Sequence, residues 1–187
     1  MAASVGELYD ALDQTTKHYA DLCPAISRPL VATLVDWLPP APALTLSIGC
    51  GSGILEAILL HAAEEDHGKQ LNLCAVEVPD CAVTHLPEDC VARVPNTFSI
   101  YDDAMLASTL IFVYPRQAKI IAMYLGAAKG TALEQIIWLG HRSDWPEAEE
   151  ILLASSVQIQ RVERPGTAEY ELLVIARLPE NDGKHVD

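Results

Sequence analysis

Apolar positions along this chain fall into two alternating patterns. Short dense runs, TLSIG at 45–49, LNLCAVEV at 71–78, TFSIYDD at 97–103, STLIFVYP at 108–115 and EQIIWLG at 134–140, have the length of strands. LNLCAVEV is continuous enough for a strand covered on both faces. Between the runs, GILEAILLHAAEED at 53–66 and RQAKIIAMYLGAAKG at 116–130 carry apolar residues at helical offsets. In the first, Ile54, Leu55, Ile58 and Leu59 are expected to face a sheet, with His67-Gly68 closing the helix, and the second is expected to end near Gly126 or Gly130. HRSDWPEAEEILLAS at 141–155 reads as loop then helix, with Ser143 or Asp144 as cap and Pro146 in the first turn. Residues 79–96 contain three prolines and little periodicity, which predicts an irregular helical turn. SVQIQRVERPGTAEYELLVIARL at 156–178 reads as two strands around a Pro-Gly turn, and the alternation in VQIQRVE leaves one face exposed.

Upstream, GELYDALDQTTKHYADL at 6–22 spaces Leu8, Leu12, Tyr19 and Leu22 as a helix that Pro24 interrupts. A second helix over SRPLVATLVDWL has Ser27 as cap and Pro29 near its start, and stops before Pro39-Pro40. PPAPA at 39–43 is a short connector and not a domain boundary, because the helices before it need a sheet to cover their apolar faces. Strands alternating with helices, closed by a hairpin, predict one α/β domain over 1–187, a three-layer sandwich on a seven-stranded, mostly parallel sheet with an antiparallel C-terminal hairpin strand. Residues 1–38 form its helical cap and 44–178 its Rossmann-like core, while the polar end NDGKHVD is expected to fray.

Composition narrows the partners. A formal net charge of -14 with only 12 Lys and Arg argues against nucleic acid and against an anionic membrane surface. No apolar run has the length of a membrane span and no secretory leader precedes the first helix, so a cytoplasmic protein with a small-molecule partner is expected. Cys23, Cys50, Cys74, Cys81 and Cys90 form an odd set without a C-x-x-C pair, which reads as reduced thiols and no metal site, with Cys81 and Cys90 near enough in sequence to approach one another.

The chemistry concentrates at GCGSG, where Gly49, Gly51 and Gly53 follow a strand and open a helix. Such a turn brings backbone N–H groups and the positive helix end to one point, suited to a polar or anionic ligand. The G-x-G-x-G spacing departs from the dinucleotide fingerprint, and no Gly-Lys-Ser/Thr of a P-loop follows. Together with Glu77 at the end of the next strand, these residues resemble the class I S-adenosylmethionine-dependent methyltransferases from about Leu44 to Leu178. That family usually has an acid two positions before the first glycine, where this chain has Ser47.

The resemblance implies S-adenosylmethionine as cofactor, held by Gly49, Cys50, Gly51, Gly53 and Glu77, the last accepting from ribose hydroxyls unless it is a solvated strand-end acid. Asp102 or Asp103 would accept from the adenine amine while the backbone at Ala104 reads the ring edge; otherwise they cap the following turn. Tyr114 in FVYPR falls where the methyl and its acceptor meet, with Pro115 expected to keep its backbone extended, or else it is a packing aromatic. Arg116 beside it suits an anionic group or plain solvent exposure. His141, in GHRSDW with Asp144, is a candidate base or a solvated loop residue. His18 and Tyr19 are candidates for a lid, and Trp37, Trp138 and Trp145 read as core or substrate wall. The expected function is methyl transfer to a small molecule. The alternative is a related domain that has ceased to transfer methyl groups, serving as a binding partner or using the pocket for rearrangement or cyclisation.

Overall fold

The computed structural model describes residues 4–128 and 131–179. Gly130 and the tail NDGKHVD lie outside them. Seven strands, β1 (Leu44–Ile48), β2 (Asn72–Glu77), β3 (Val91–Arg93), β4 (Ala107–Val113), β5 (Gln135–His141), β6 (Gln158–Arg161) and β7 (Glu171–Arg177), form one sheet in the order β3-β2-β1-β4-β5-β7-β6. Every pairing is parallel except those of β7, which runs antiparallel to both β5 and β6.

Strand alternation divides the core. Leu110 and Phe112 join Leu46, Ile48 and Trp138 beneath α4 (Lys119–Ala128) and α5 (Trp145–Leu153), whereas Ile111 joins Ile137 and Leu139 beneath α2 (Arg28–Trp37) and α3 (Ile54–Glu65). Each fully buried side chain of this size contributes roughly 1.5–3 kcal/mol. The short α1 (Val5–Asp10), closed by a Ser4/Glu7 capping box, lies on α3, where the Tyr9 hydroxyl donates to Asp66 at 2.6 Å. Ser27 caps α2 as expected and also donates to the Gly166 carbonyl at 2.6 Å, tying that helix to the β6–β7 turn.

Two expectations change. The helix over 6–22 ends at Asp10, because Asp13 takes both the N–H and the hydroxyl of Thr15, at 2.8 and 2.6 Å, and so competes with helical bonding. Beyond it Lys17 and Ile26 exchange backbone bonds of 2.8 Å, and residues 13–26 form an irregular strap that still buries Leu12. The third strand is Val91–Arg93 rather than TFSIYDD. After Pro95 the Asn96 side chain takes the Phe98 N–H and its carbonyl takes the Ser99 N–H, which turns the chain, and Asp102–Leu106 wind as a 3-10 turn. Gly126 lies inside α4, and Asp144 caps α5 without a side-chain bond.

Candidate functional site

The register assembles the site. Ile48 pairs with Val76 on one side and Phe112 on the other, so the turn after β1 lies level with Glu77 and with Tyr114. Gly49, Gly51 and Gly53 all have positive φ, of 78°, 60° and 78°. A Cβ on Gly49 or Gly51 would meet nothing within 4 Å, which leaves the turn open from above. At Gly53 it would lie 2.8 Å from Val83 and 2.9 Å from Leu86, side chains of the segment that follows β2. That segment also donates the Thr84 and His85 N–H groups to the Ser52 carbonyl, and the Ser52 hydroxyl donates to Asp21 of the strap. Two flanking segments therefore hold the turn at Ser52.

Glu77 accepts the Gly51 N–H at 2.7 Å on one oxygen and the Val78 N–H at 2.8 Å on the other, leaving each oxygen further acceptor capacity. Beside it a cavity of about 50 Å³ runs between Gly49, Val94, Thr97, Ser99 and Tyr124. The Cys50 thiol is half-buried, and burial, then the charges of Glu56 and Glu77, push its pKa upward, so it is a neutral wall rather than a nucleophile.

Behind the turn Ser47 donates to Glu56 Oε1 at 2.6 Å. Glu56 is 2% exposed, and burial pushes its pKa up to about 7 against the lowering effect of the Ser47 bond. Its Oε2 has no partner.

The carboxyl ends of β4 and β5 carry a second set. Tyr114 stands at φ 47°, not extended, because its N–H donates to Leu139 at 2.8 Å and its hydroxyl to Glu171 Oε1 at 2.8 Å, and the two bonds together turn the chain. Burial, then the bond to Glu171, raises the phenol's pKa and keeps it protonated. Glu171 is fully buried and also accepts the Ala25 and Ala168 N–H groups, at 2.9 and 3.0 Å, so one carboxylate joins strap, hairpin turn and β4. His141 stacks on Tyr170, which stacks in turn on His18 and lies 2.8 Å from its Nε2. The Ser143 hydroxyl and N–H lie 2.7 and 3.1 Å from His141 Nδ1, and the same hydroxyl donates to Asp144 at 3.0 Å.

The fold thus gathers Gly49, Cys50, Gly51 and Glu77 at one point, and Tyr114 and His141 along the neighbouring strand ends. Asp102 and Asp103 are exposed at the start of the 3-10 turn, Asp103 bonded to the Tyr101 hydroxyl at 3.0 Å, and the Ala104 N–H is taken by Tyr101. Thr97 and Ser99, not these acids, line the small cavity. Arg116 is exposed, Trp138 and Trp145 are core, and all five cysteines are free. Glu56 and Glu171 were not singled out by sequence, although an acid inside ILEAILL, a helix face otherwise apolar, was a readable signal for the first.

No family model matches the chain, and no curated protein matches it in sequence. Solved structures match in shape. Precorrin-6y C5,15-methyltransferase from Geobacter metallireducens superposes with a TM-score of 0.58 at 11% identity, over 88% of this chain and 93% of that one. The precorrin 8w decarboxylase of Methanobacterium thermoautotrophicum gives 0.56 at 15%, over 89% and 98%. Ribosomal protein L11 methylase from Lactobacillus delbrueckii subsp. bulgaricus gives 0.52 at 17%, over 80% and 78%. The chain has the class I methyltransferase fold. In open α/β sheets ligands bind outside the carboxyl ends of the strands, which is where both residue sets lie. The larger hollow of about 680 Å³ among Thr131–Gln135 and Arg177–Pro179 is at the opposite, amino end of β5 and is set apart from them. Among the described residues no helix is long and apolar enough to cross a membrane.

Proposed function

We propose that this protein is an S-adenosylmethionine-dependent methyltransferase acting on a small-molecule acceptor. The observation that carries the reading is the open turn at Gly49 and Gly51, with unspent acceptor capacity on Glu77 beside it. These residues fit the cofactor: the N–H groups at the start of α3 suit its carboxylate, and Glu77 suits the ribose hydroxyls. Gly49, Cys50, Gly51, Gly53 and Glu77 would hold it, with Asp102, Asp103 and Ala104 at the adenine side once the Thr97–Ser99 wall moves outward.

S-adenosylmethionine, when bound, supplies an electrophilic methyl group, so the protein's main task is approach geometry. Tyr114 commits its hydrogen to Glu171 and keeps oxygen lone pairs for an N–H or O–H of the acceptor. His141, Tyr170 and His18 form a flat wall beside it. The acidic net charge of -14 agrees with a small acceptor rather than RNA or DNA.

The contracted adenine-side cavity of about 50 Å³ favours the second reading, a methyltransferase-like protein that does not transfer methyl groups. Calorimetric titration with S-adenosylmethionine and S-adenosylhomocysteine decides between them. Binding of both, weakened about tenfold or more by Glu77→Ala, is the expected result, and no heat at millimolar ligand would overturn the methyltransferase reading. Once an acceptor is known, Tyr114→Phe should lower kcat/KM by about tenfold while leaving S-adenosylhomocysteine affinity unchanged.

A further inference from the structure

The first turn of α3 holds a carboxylate that packing does not require. Glu56 lies among Ile54, Leu55, Ala57 and Ile58, all buried, and only one of its oxygens is bonded, to Ser47 at 2.6 Å. Its Oε2 is out of water with no partner, a placement that works against the stability of the fold. Side chains on a helix tilt toward its N-terminus, which sets this carboxylate under the Gly49–Gly53 turn. Cys50 in the turn and Glu77 on β2 both interact with its charge, and Ser47 faces it from β1.

The start of α3 attracts a carboxylate and repels an ammonium. A ligand tail bearing both charges settles there only with an anion close by. Position 47 is a serine and supplies none, whereas Glu56 is a fully enclosed acid immediately behind the open turn. We infer that Glu56 provides the negative charge that binds the ammonium of a zwitterionic amino-acid tail, delivered from α3 because β1 carries Ser47. The inference rests on the cofactor reading above.

Titrating the full-length chain with S-adenosylhomocysteine, which has the tail, and 5′-methylthioadenosine, which lacks it, tests the assignment. Glu56→Gln should lower affinity for the first about tenfold and change the second by less than about twofold. In the wild type the preference for the tailed ligand should be larger at pH 8 than at pH 6, since the carboxylate is charged above about 7, and Glu56→Gln should abolish that difference. Binding of both ligands with the same preference in Glu56→Gln overturns the inference and leaves the cofactor reading intact. Failure of the wild type to bind either ligand overturns both. Should Glu56→Gln not fold, the exchange Ser47→Asp with Glu56→Ser carries the same test. Ser47→Asp should restore a preference for the tailed ligand that Glu56→Ser alone has lost, and a wild-type preference retained in Glu56→Ser alone overturns the role.

Discussion

At the residue scale the informative groups are two buried acids that differ in how they are satisfied. Glu171 receives three donors, whereas Glu56 receives one and keeps a bare oxygen. Burial raises the folded-state pKa of Glu56 from 4.5 to about 7, so the stability of its protonated form is complete below 4.5 and is lost as pH rises through 7. The loss is on the order of 3 kcal/mol. Glu56→Gln keeps the shape without the charge and should be more stable than wild type at pH 8, with the two converging near pH 4. Urea unfolding at both pH values checks this, and parallel curves for the two proteins would show that the carboxylate stays hydrated. A substitution that strengthens the fold while weakening the tailed ligand is the pattern of a site maintained against stability.

At the element scale, the glycine turn is held by its neighbours as much as by its own sequence. Gly53 caps α3 at φ 78°, where an added Cβ would lie within 3 Å of Val83 and Leu86, while one on Gly51, at φ 60°, would meet open space. Gly53→Ala should therefore destabilise by about 1–3 kcal/mol and loosen the segment after β2. Gly51→Ala should cost about 1–2 kcal/mol from its backbone alone, and should lose ligand binding in greater proportion because the new methyl fills the cradle. Denaturation and ligand titration of the pair separate the two roles, and equal binding losses would argue against a ligand above Gly51. The turn, Glu77, the alternation of strands with helices and the caps of α2 were legible because each is a local pattern in neighbouring residues. The strap at 13–26 was not, since Leu12, buried just before it, and Tyr19, half-buried within it, keep helical spacing without a helix. Nor was β3, a three-residue edge strand whose pairing with Ala75–Glu77 leaves no periodicity to read. The geometry of Tyr114 escaped as well. Pro115 argues for extended backbone, and two partners distant in sequence, Leu139 and Glu171, reverse it together.

At the scale of the whole molecule, strand order decides which segments must move. Crossing over from β1 to β2 and from β4 to β5 sets the turn and Tyr114 side by side, with the strap and the β6–β7 turn converging on Glu171 at one flank and residues 79–101 closing the other. The Glu171 flank is cross-linked by three bonds to a buried carboxylate. The other flank is thinner: its wall at Thr97 and Ser99 belongs to no strand, and the cavity it bounds, about 50 Å³, is far below the ~300 Å³ of a small-ligand site. Admitting an adenosyl group must displace that wall, because the sheet side of the cavity is Ile48 and Val76, both fixed in paired strands. Hydrogen exchange with and without S-adenosylhomocysteine is expected to show protection across 48–53 and altered rates across 79–101, with residues 164–171 unchanged. At a ligand concentration of 100 times Kd the accompanying stabilisation should be about 2.7 kcal/mol. Change confined to 164–171 would put the mobile wall on the Glu171 flank, and the cofactor would then have to enter past Tyr114 rather than past Ser99.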